Sequence, residues 1–293
     1  MADSVVRLSY EEVFERIGAL TELMTLAGSV AQIMRITRDP KGTAAKLAAV
    51  ISRDPALAMK LLRTVNSPFY GLRRTIETIE DAVVVLGFGE IERLSLAISV
   101  MKHFSARTLR GQAVNQLFLH SLVCGIAAET LVECFQLRGI EADDIFTAAL
   151  LHDVGKAIIW QAMPEAAREV MIVMDDRHLS QFHAEQEVLG GANHCLVGAW
   201  ASGEWNLPTS IVHSIQMHHT PLEAKDDTTL LKVIHIANAV CYHVGFPGAK
   251  TKKPPPASAY ESCAFLHGNA AFMQAFRTRY EAKRALFDSL AHP

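Results

Sequence analysis

The sequence predicts an all-α fold. Almost every segment is rich in the helix-forming residues Ala, Leu, Glu, Met and Arg, and the apolar–polar alternation typical of strands is scarce. Capping residues mark several helix starts, such as Ser9 with Glu12 three residues later, and Asp54 followed by Pro55. Half of the 293 residues are hydrophobic, which is enough for the helices to enclose a large core.

Breaker residues delimit the predicted helices. In the first part of the chain the predicted helices cover residues 10–20, 23–35, 44–51, 55–65, 79–86 and 90–103. A turn is predicted at Gly87-Phe88-Gly89. In the second part the predicted helices cover residues 112–137, 143–153, 164–174, 180–189, 193–205, 208–219, 228–244 and 269–289. Asp175-Asp176 lies beyond one of these helices, and residues 248–256 form a Pro-rich loop.

A short linker at residues 105–111 separates the two parts of the chain. It predicts a smaller N-terminal helical subdomain over residues 1–106 and a larger helical subdomain over residues 107–293. Because the linker is short and not rich in Gly and Ser, we expect the two subdomains to pack as one unit.

Composition narrows the class of protein. The net charge of -3 argues against a chain built to coat nucleic acid or an anionic membrane. The N-terminal residues do not resemble a signal peptide, and no apolar run approaches the ~20 residues of a spanning helix. Five scattered cysteines without a Cys-x-x-Cys pair favour reduced thiols. Together these features predict a cytoplasmic protein that uses no membrane.

The helix–glycine turn–helix pattern at residues 79–103 superficially suggests a DNA-reading helix-turn-helix. Its second helix, however, lacks the exposed row of Arg, Asn and Gln that reads base edges. A DNA-associated or purely structural regulator stays a third alternative, in which the histidines are core and helix-end residues.

Histidines and one His-Asp pair recur at helix centres and ends. Seven of the thirteen histidines fall between His178 and His235. Several buried imidazoles without partners would cost free energy, whereas a shared metal or phosphate ligand would satisfy them together. The residues concerned are His120, the His152-Asp153 pair, His194, the His218-His219 pair, His235 and Asn238. Within the central stretch, Gly155 permits a tight or left-handed backbone, and Lys156 offers a cation to a phosphate.

The spaced motifs resemble a known family. His120, the His152-Asp153 pair and a later acidic-type position are similar to the pattern of the HD superfamily of metal-dependent phosphohydrolases. The stretch Leu61 to Gly71, containing Asn-Ser-Pro-Phe-Tyr-Gly, and the later Trp205-Asn206-Leu207-Pro208 look like the HDOD family, the HD-related output domain. The resemblance covers residues 20–244 and implies an all-helical bundle of HD-domain type, acting as a bacterial signalling domain.

The resemblance also implies a chemistry for the cluster. HDOD domains are similar to HD-GYP cyclic di-GMP phosphodiesterases, in which such ligands hold one or two divalent ions, here Fe, Mn or Zn. Carried over by position, the metal ligands would be His120, His152, Asp153, His194, His218 and His219, with Asn238 at the last position. Asp153 would bridge two cations, Lys156 would face a phosphate, and both would be catalytic if the site were active.

Two departures from this pattern argue against hydrolysis. The last metal-ligand position carries Asn238 in place of an aspartate, and Gln116 stands one turn before His120 where the phosphodiesterases carry a glutamate. An amide oxygen is a weaker ligand than a carboxylate and removes a negative charge. The His218-His219 pair is also followed by no Gly-Tyr-Pro.

The sequence therefore favours a signal-transduction output or regulatory domain that acts through signalling-protein partners, with a degenerate metal site and little or no catalysis. The alternative is a metal-dependent phosphohydrolase that acts on a nucleotide or cyclic dinucleotide.

Overall fold

The computed structural model describes residues 6–105, 111–140, 142–225, 229–246 and 269–291. Within these ranges the regular elements are α-helices and one short 3-10 turn, so the predicted all-α fold is confirmed. The first helices are α1 (Tyr10–Gly18), α2 (Thr21–Thr37), α3 (Ala44–Ile51), α4 (Pro55–Val65), α5 (Ile79–Leu86) and α6 (Phe88–Ser105). The later helices are α7 (Gly111–Cys134), α8 (Ala142–Leu151), α9 (Val154–Ala162), α10 (Pro164–Arg177), α11 (Gln181–Val188), α12 (His194–Glu204), α13 (Thr209–Met217), α14 (Thr229–His243) and α15 (Ala270–Ala291).

Capping residues explain why several helix starts could be predicted from the sequence. Ser9 and Glu12 form the predicted capping box, and Asp54 accepts hydrogen bonds from two backbone N–H groups at the start of α4. Some predictions were wrong in detail. Only Gly87, with a φ of 84°, separates α5 from α6, Asp175-Asp176 lies inside α10, and α9 was not predicted. Of the linker predicted at 105–111, the first and last residues belong to α6 and α7. Residues 106–110 and the Pro-rich loop at 248–256 lie outside the described residues.

The Asn-Ser-Pro-Phe-Tyr-Gly segment closes the loop between α4 and α5. The Asn66 side chain donates to the carbonyl of Ile76 and accepts from its N–H, both at 2.8 Å. The hydroxyl of Tyr70 donates to Glu90 at the start of α6 over 2.6 Å, and the ring of Phe69 packs edge-on against Tyr70. This segment therefore holds the first helices together through core packing and paired polar groups.

Helix α6 joins the two parts of the chain. It contacts α2, α4 and α5 on one side and α7 and α8 on the other, and nearly all its residues from Ile91 to Met101 are buried. A helix enclosed in this way cannot enter a DNA groove, which removes the helix-turn-helix interpretation. At the same junction Arg38 pairs with Asp144 over 2.9 Å. Helices from the two parts of the chain thus contact each other, whereas the division into two subdomains at residue 106 stays a prediction.

Helix α7 is the apolar centre of the larger part. Residues Ala113–Cys134 are long and apolar enough to cross a membrane by composition alone, so the expectation that no segment approaches this limit was wrong. However, 72% of that window is buried inside the fold, where α8, α14 and α15 pack around it. Burial in the protein core accounts for its composition.

The His152-Asp153 pair forms a two-residue turn between α8 and α9, so the apolar helix ends where the sequence predicted. Gly155 does not supply a left-handed turn, since it lies in the first turn of α9. Instead it lets α9 approach α12: a Cβ there would overlap the carbonyl oxygen of His194 and lie 2.8 Å from the backbone nitrogen of Gly198. The glycine is required by backbone-to-backbone contact.

We expect Gly155→Ala to lower the free energy of unfolding by about 3 kcal/mol or more, because the methyl group would force α9 away from α12. The matched control is Gly203→Ala in α12, where a Cβ has nothing within 4 Å and should add about 0.5–1 kcal/mol of helix stability. Urea denaturation followed by circular dichroism measures both. Equal midpoints for Gly155→Ala and the wild type would contradict the close approach.

Candidate metal centre

Four parts of the fold bring His and Asp side chains to one buried point. Helix α7 supplies His120 from its middle, and the turn between α8 and α9 supplies His152 and Asp153. Helix α12 begins with His194, and the residues after α13 supply the remaining pair, His218 and His219. The six side chains that the sequence assigned as His and Asp ligands therefore lie together.

Asp153 is the centre of this cluster. Its Oδ2 accepts a hydrogen bond from the ammonium of Lys156 at 2.7 Å. The same oxygen lies 3.3 Å from Nε2 of His152 and 3.5 Å from Nε2 of His120. The two imidazole Nε2 atoms are 3.2 Å apart. His120, His152 and Asp153 thus form a first ligand set on the Oδ2 side.

The second carboxylate oxygen faces a second ligand set. Oδ1 of Asp153 lies 3.3 Å from Nε2 of His194 and 3.6 Å from Nε2 of His218. Nε2 of His194 is in turn 3.1 Å from Nε2 of His219. Oδ1 is buried and has no hydrogen-bond partner among the described residues. A buried carboxylate oxygen without such a bond, facing ring nitrogens, fits a position for a cation.

Hydrogen bonds to the outer ring nitrogens fix the orientation of four imidazoles. Nδ1 of His120, His152 and His218 lies 2.6–2.8 Å from the backbone carbonyl oxygens of Phe246, Ala149 and Ile215. Because a carbonyl only accepts, each Nδ1 must carry the proton and donate it. In its neutral form each of these rings presents the lone pair of Nε2 towards Asp153, which is the arrangement that supports metal-bound histidines.

Glu185 fixes the fourth ring in the same way, and the sequence did not identify it. Its Oε2 accepts from Nδ1 of His194 at 2.5 Å and from the backbone N–H of His194 at 2.8 Å. Its Oε1 accepts from the side-chain amide of Gln181 at 2.8 Å. Glu185 is one of four glutamate or glutamine residues in α11, so only its burial distinguishes it, and burial is not visible in the sequence.

The spacing of the donor atoms suits a metal ion. Around a tetrahedral ion with metal–nitrogen bonds of about 2.0–2.1 Å, ligand nitrogens lie roughly 3.3 Å apart. The Nε2–Nε2 distances of 3.2 Å (His120 to His152) and 3.1 Å (His194 to His219) are close to this value. When both rings of a pair are neutral, their Nε2 lone pairs would repel at this distance, and a cation between them removes the repulsion. The residues therefore fit a divalent metal.

Burial and the charges of Asp153 and Lys156 determine the pKa values within the cluster. Burial lowers the pKa values of His120 and His218 to about 3, which keeps both rings neutral. Burial also disfavours a charge on His152, but Asp153 outweighs it and raises the pKa of His152 to about 9. Burial opposes ionisation of Asp153, yet Lys156 and His152 hold its pKa well below the usual range. Asp153 is therefore a carboxylate at neutral pH.

Helix α14 brings Asn238 to the same cluster. Nδ1 of His235, one turn earlier, donates to the backbone carbonyl of His218 at 2.6 Å, and Sγ of Cys241, one turn later, lies 4.0 Å from the carbonyl of His120. Asn238 therefore lies on the helix face that packs against both ligand sets. Its side chain is buried, and its Oδ1 accepts no hydrogen bond. Gln116 lies one turn before His120 and is partly exposed.

The cluster is closed to solvent. His120, His152, Asp153, Lys156, His194 and His218 are each 0–1% exposed. Among the ligand candidates, His219 is partly exposed, and its ring lies against the partly exposed ring of Phe182, with centroids 5.3 Å apart. A substrate could reach the Asp153 oxygens only if helices moved.

We expect Glu185→Gln to weaken zinc binding by about 10–100-fold, because the outer partner of a metal-bound histidine sets its orientation and basicity. Glu187→Gln is the matched control, since Glu187 lies on the same helix and pairs with Arg177 at the surface. Calorimetric zinc titration measures both. An unchanged affinity in Glu185→Gln would contradict the role assigned to this carboxylate.

Metal-free protein should be less stable at pH 5 than at pH 7. His120 and His218 have folded pKa values of about 3, below the value of 6.5 for an unperturbed histidine. As the pH falls below 6.5 the unfolded chain gains these protons and the folded chain does not, so each group costs about 1.4 kcal/mol per pH unit. His152 acts in the opposite direction, because its contribution is lost as the pH rises from 6.5 through about 9.

Urea denaturation in the presence of a chelator, at pH values from 5 to 9, checks this dependence. Stability should be greatest near neutral pH. A free energy of unfolding that is equal at pH 5 and pH 7 would contradict neutral, buried imidazoles.

Comparison with known proteins identifies the family. The sequence profile of the HDOD domain matches residues 23–221, which is more than half of the chain. An uncharacterized protein of Treponema pallidum (strain Nichols) is 24% identical over 221 residues, covering 75% of this chain and 42% of that protein. The chain thus spans about two fifths of the length of this relative.

Crystal structures of several bacterial proteins share the fold. An HDOD domain protein of unknown function from Geobacter sulfurreducens aligns with a TM-score of 0.66 and 21% identity, covering 93% of this chain and 91% of that chain. A protein from Shewanella amazonensis SB2B, provisionally described as a phosphohydrolase, aligns with a TM-score of 0.67 and 18% identity, covering 92% and 97%. A protein from Marinobacter aquaeolei VT8, provisionally described as a signal transduction protein, aligns with a TM-score of 0.68 and 17% identity, covering 90% and 59%. At these identities the likeness establishes the fold alone, and it agrees with the profile match: this chain belongs to the HDOD family.

Proposed function

We propose that this chain is a bacterial regulatory output domain that acts through signalling-protein partners in the cytoplasm. In this proposal the His/Asp cluster holds a divalent metal, Fe, Mn or Zn, that organises the helices and carries out little or no hydrolysis. Membership of the HDOD family supports the regulatory part, and the ligand geometry supports the metal.

The burial of the His/Asp cluster is the main observation that supports this proposal. A phosphohydrolase must bring a phosphodiester and a water molecule to its metal, whereas the donor residues here are 0–1% exposed apart from His219. Lys156, the residue expected to face a phosphate, is itself buried and bonded to Asp153 at 2.7 Å. The positive charge of Lys156 is therefore already paired with Asp153 and is not directed at a substrate phosphate.

The charge of the site also argues against a two-metal catalytic centre. The Asp153 carboxylate lies inside the cluster and that of Glu185 just outside it, while Lys156 contributes a positive charge. Two divalent ions would leave a large uncompensated positive charge in a buried site, because Asn238 and Gln116 stand where carboxylates would balance it. This favours one tightly held ion over a two-metal catalytic centre.

A metal in this position would act as a cross-link between secondary structures. When bound, it would supply charge to the imidazoles and to Asp153, and it would join α7, the α8–α9 turn, α12 and the end of α13. Gain or loss of the ion would then change how firmly these helices are held. A partner protein that contacts these helices would then bind the metal-loaded and metal-free domains with different affinities.

A metal-dependent phosphohydrolase acting on a nucleotide or cyclic dinucleotide is the second candidate. One observation favours it: the two oxygens of Asp153 face separate ligand sets, as expected for a carboxylate that bridges two ions. In this case Asp153 and Lys156 would have catalytic roles after an opening of α11 and α13. A nucleotide that binds without being hydrolysed would be a ligand of the regulatory domain.

Protein purified without a metal-binding tag should contain about one equivalent of Fe, Mn or Zn, measured by plasma mass spectrometry. His152→Ala should lose the metal, because His152 belongs to the ligand set around Asp153. His183→Ala is the control, since His183 is exposed on α11. Absence of metal from the wild type after loading with each ion would overturn the metal site.

The metal-loaded protein should not convert cyclic di-GMP or a generic phosphodiester to product, because the site is closed and lacks two carboxylates. Chromatography of the nucleotide products measures turnover. Metal-dependent product formation that disappears in His152→Ala would overturn the regulatory proposal in favour of the phosphohydrolase.

Asn238→Asp should increase metal affinity by about tenfold or more, which is about 1.4 kcal/mol, because it returns a carboxylate to the ligand face of α14. Calorimetric titration measures the affinity, and the control is Asn206→Asp at the exposed end of α12. An unchanged or lower affinity in Asn238→Asp would show that this position does not face the metal.

A further inference from the structure

We propose that the thiol of Cys195 is a fourth protein ligand in the second set, which then becomes a His/His/His/Cys site of the kind that zinc prefers. The inference rests on the proposed metal site and adds to it the identity of one ligand. The family resemblance assigned no role to this cysteine, which stands directly after His194 at the start of α12.

The donor atoms of the second set are close enough to share one ion. One ligand atom from each of His194, Cys195, His218 and His219 lies within 4.8 Å of the others. Sγ of Cys195 is 4.0 Å from Nε2 of His218. Around a tetrahedral zinc ion, with bonds of about 2.3 Å to sulfur and 2.0–2.1 Å to nitrogen, this separation would be roughly 3.5 Å. For this pair of atoms a contraction of about half an ångström gives the tetrahedral separation. Sγ of Cys195 also lies 3.8 Å from Nδ1 of the same ring.

A separate observation places a cation on this side of Asp153. Oδ1 of Asp153 is buried and has no hydrogen-bond partner, and it faces Nε2 of His194 and of His218. The rings of His194 and His218 are held by Glu185 and by the carbonyl of Ile215, so their Nε2 atoms are directed inwards before any ion binds. Cys195 thus lies beside a preformed set of nitrogen ligands.

The sulfur ligand would distinguish the two ligand sets chemically. The first set, His120, His152 and Asp153, offers only nitrogen and oxygen. The second adds sulfur, and thiolates favour zinc over manganese. On this basis the second set prefers zinc. The competing interpretation is that Cys195 is a small buried apolar residue with a weak contact to His218.

Cobalt(II) substitution tests the assignment directly. Cobalt(II) bound to histidines absorbs in the visible range, and a thiolate ligand adds an intense near-ultraviolet charge-transfer band. We expect both features in the wild-type protein loaded with one equivalent of cobalt(II). Cys195→Ser and Cys195→Ala should keep the visible bands and lose the charge-transfer band. Cys124→Ser, at another buried thiol, and Cys134→Ser, at an exposed thiol, should keep both features.

X-ray absorption of the zinc-loaded wild type provides a measurement that needs no variant. One sulfur scatterer at about 2.3 Å is expected beside nitrogen or oxygen scatterers at about 2.0–2.1 Å. A first shell without sulfur would overturn the role of Cys195, even if the Cys195 variants failed to fold.

The outcomes separate this inference from the proposed metal site. Visible cobalt bands without the charge-transfer band in the wild type would reject Cys195 as a ligand and leave the metal site in place. Loss of the charge-transfer band in Cys124→Ser instead of Cys195→Ser would also reject it. Failure of the wild type to bind cobalt(II) or zinc would reject both the ligand and the site.

Discussion

The buried carboxylate of Asp153 constrains the rest of the larger subdomain. A charge removed from water needs partners, and Asp153 has Lys156 at 2.7 Å and the Nε2 atoms of four histidines within 3.6 Å. These partners come from distant parts of the chain, so they can meet only if α7, α9, α12 and the end of α13 are packed correctly. The polar cluster and the helix packing therefore depend on each other.

Much of the fold could be predicted because its signals are local. Capping residues such as Ser9 and Asp54 and breakers such as Pro164 act within one helical turn, and the elements they delimit are present in the structure. The errors arose where tertiary contact decides. Gly155 carried the correct signal for an unusual backbone requirement, but its reason is contact with α12, which cannot be read from neighbouring residues.

In the candidate site, too, features with local sequence signals were predicted and features that depend on tertiary contacts were not. The six candidate His and Asp ligands could be proposed because the chemistry of the side chains and the spaced motifs agree, and the structure brings these side chains together. Glu185, and the proximity of Cys195 to His218, were not predicted, since both depend on how α11 and α13 pack beside α12. The bond between Lys156 and Asp153 was also not predicted, because it replaces the expected phosphate with a partner three residues away.

The burial of the donor atoms has a kinetic consequence. An ion enclosed by residues that are 0–1% exposed can leave only when helices separate, so its exchange rate is set by local opening of the fold and not by the strength of its bonds alone. Partly exposed His219 and Phe182 mark the side on which such an opening needs to be smallest. An ion acquired while the chain folds would then be retained through later changes in metal supply, and the domain would record the metal available at its synthesis.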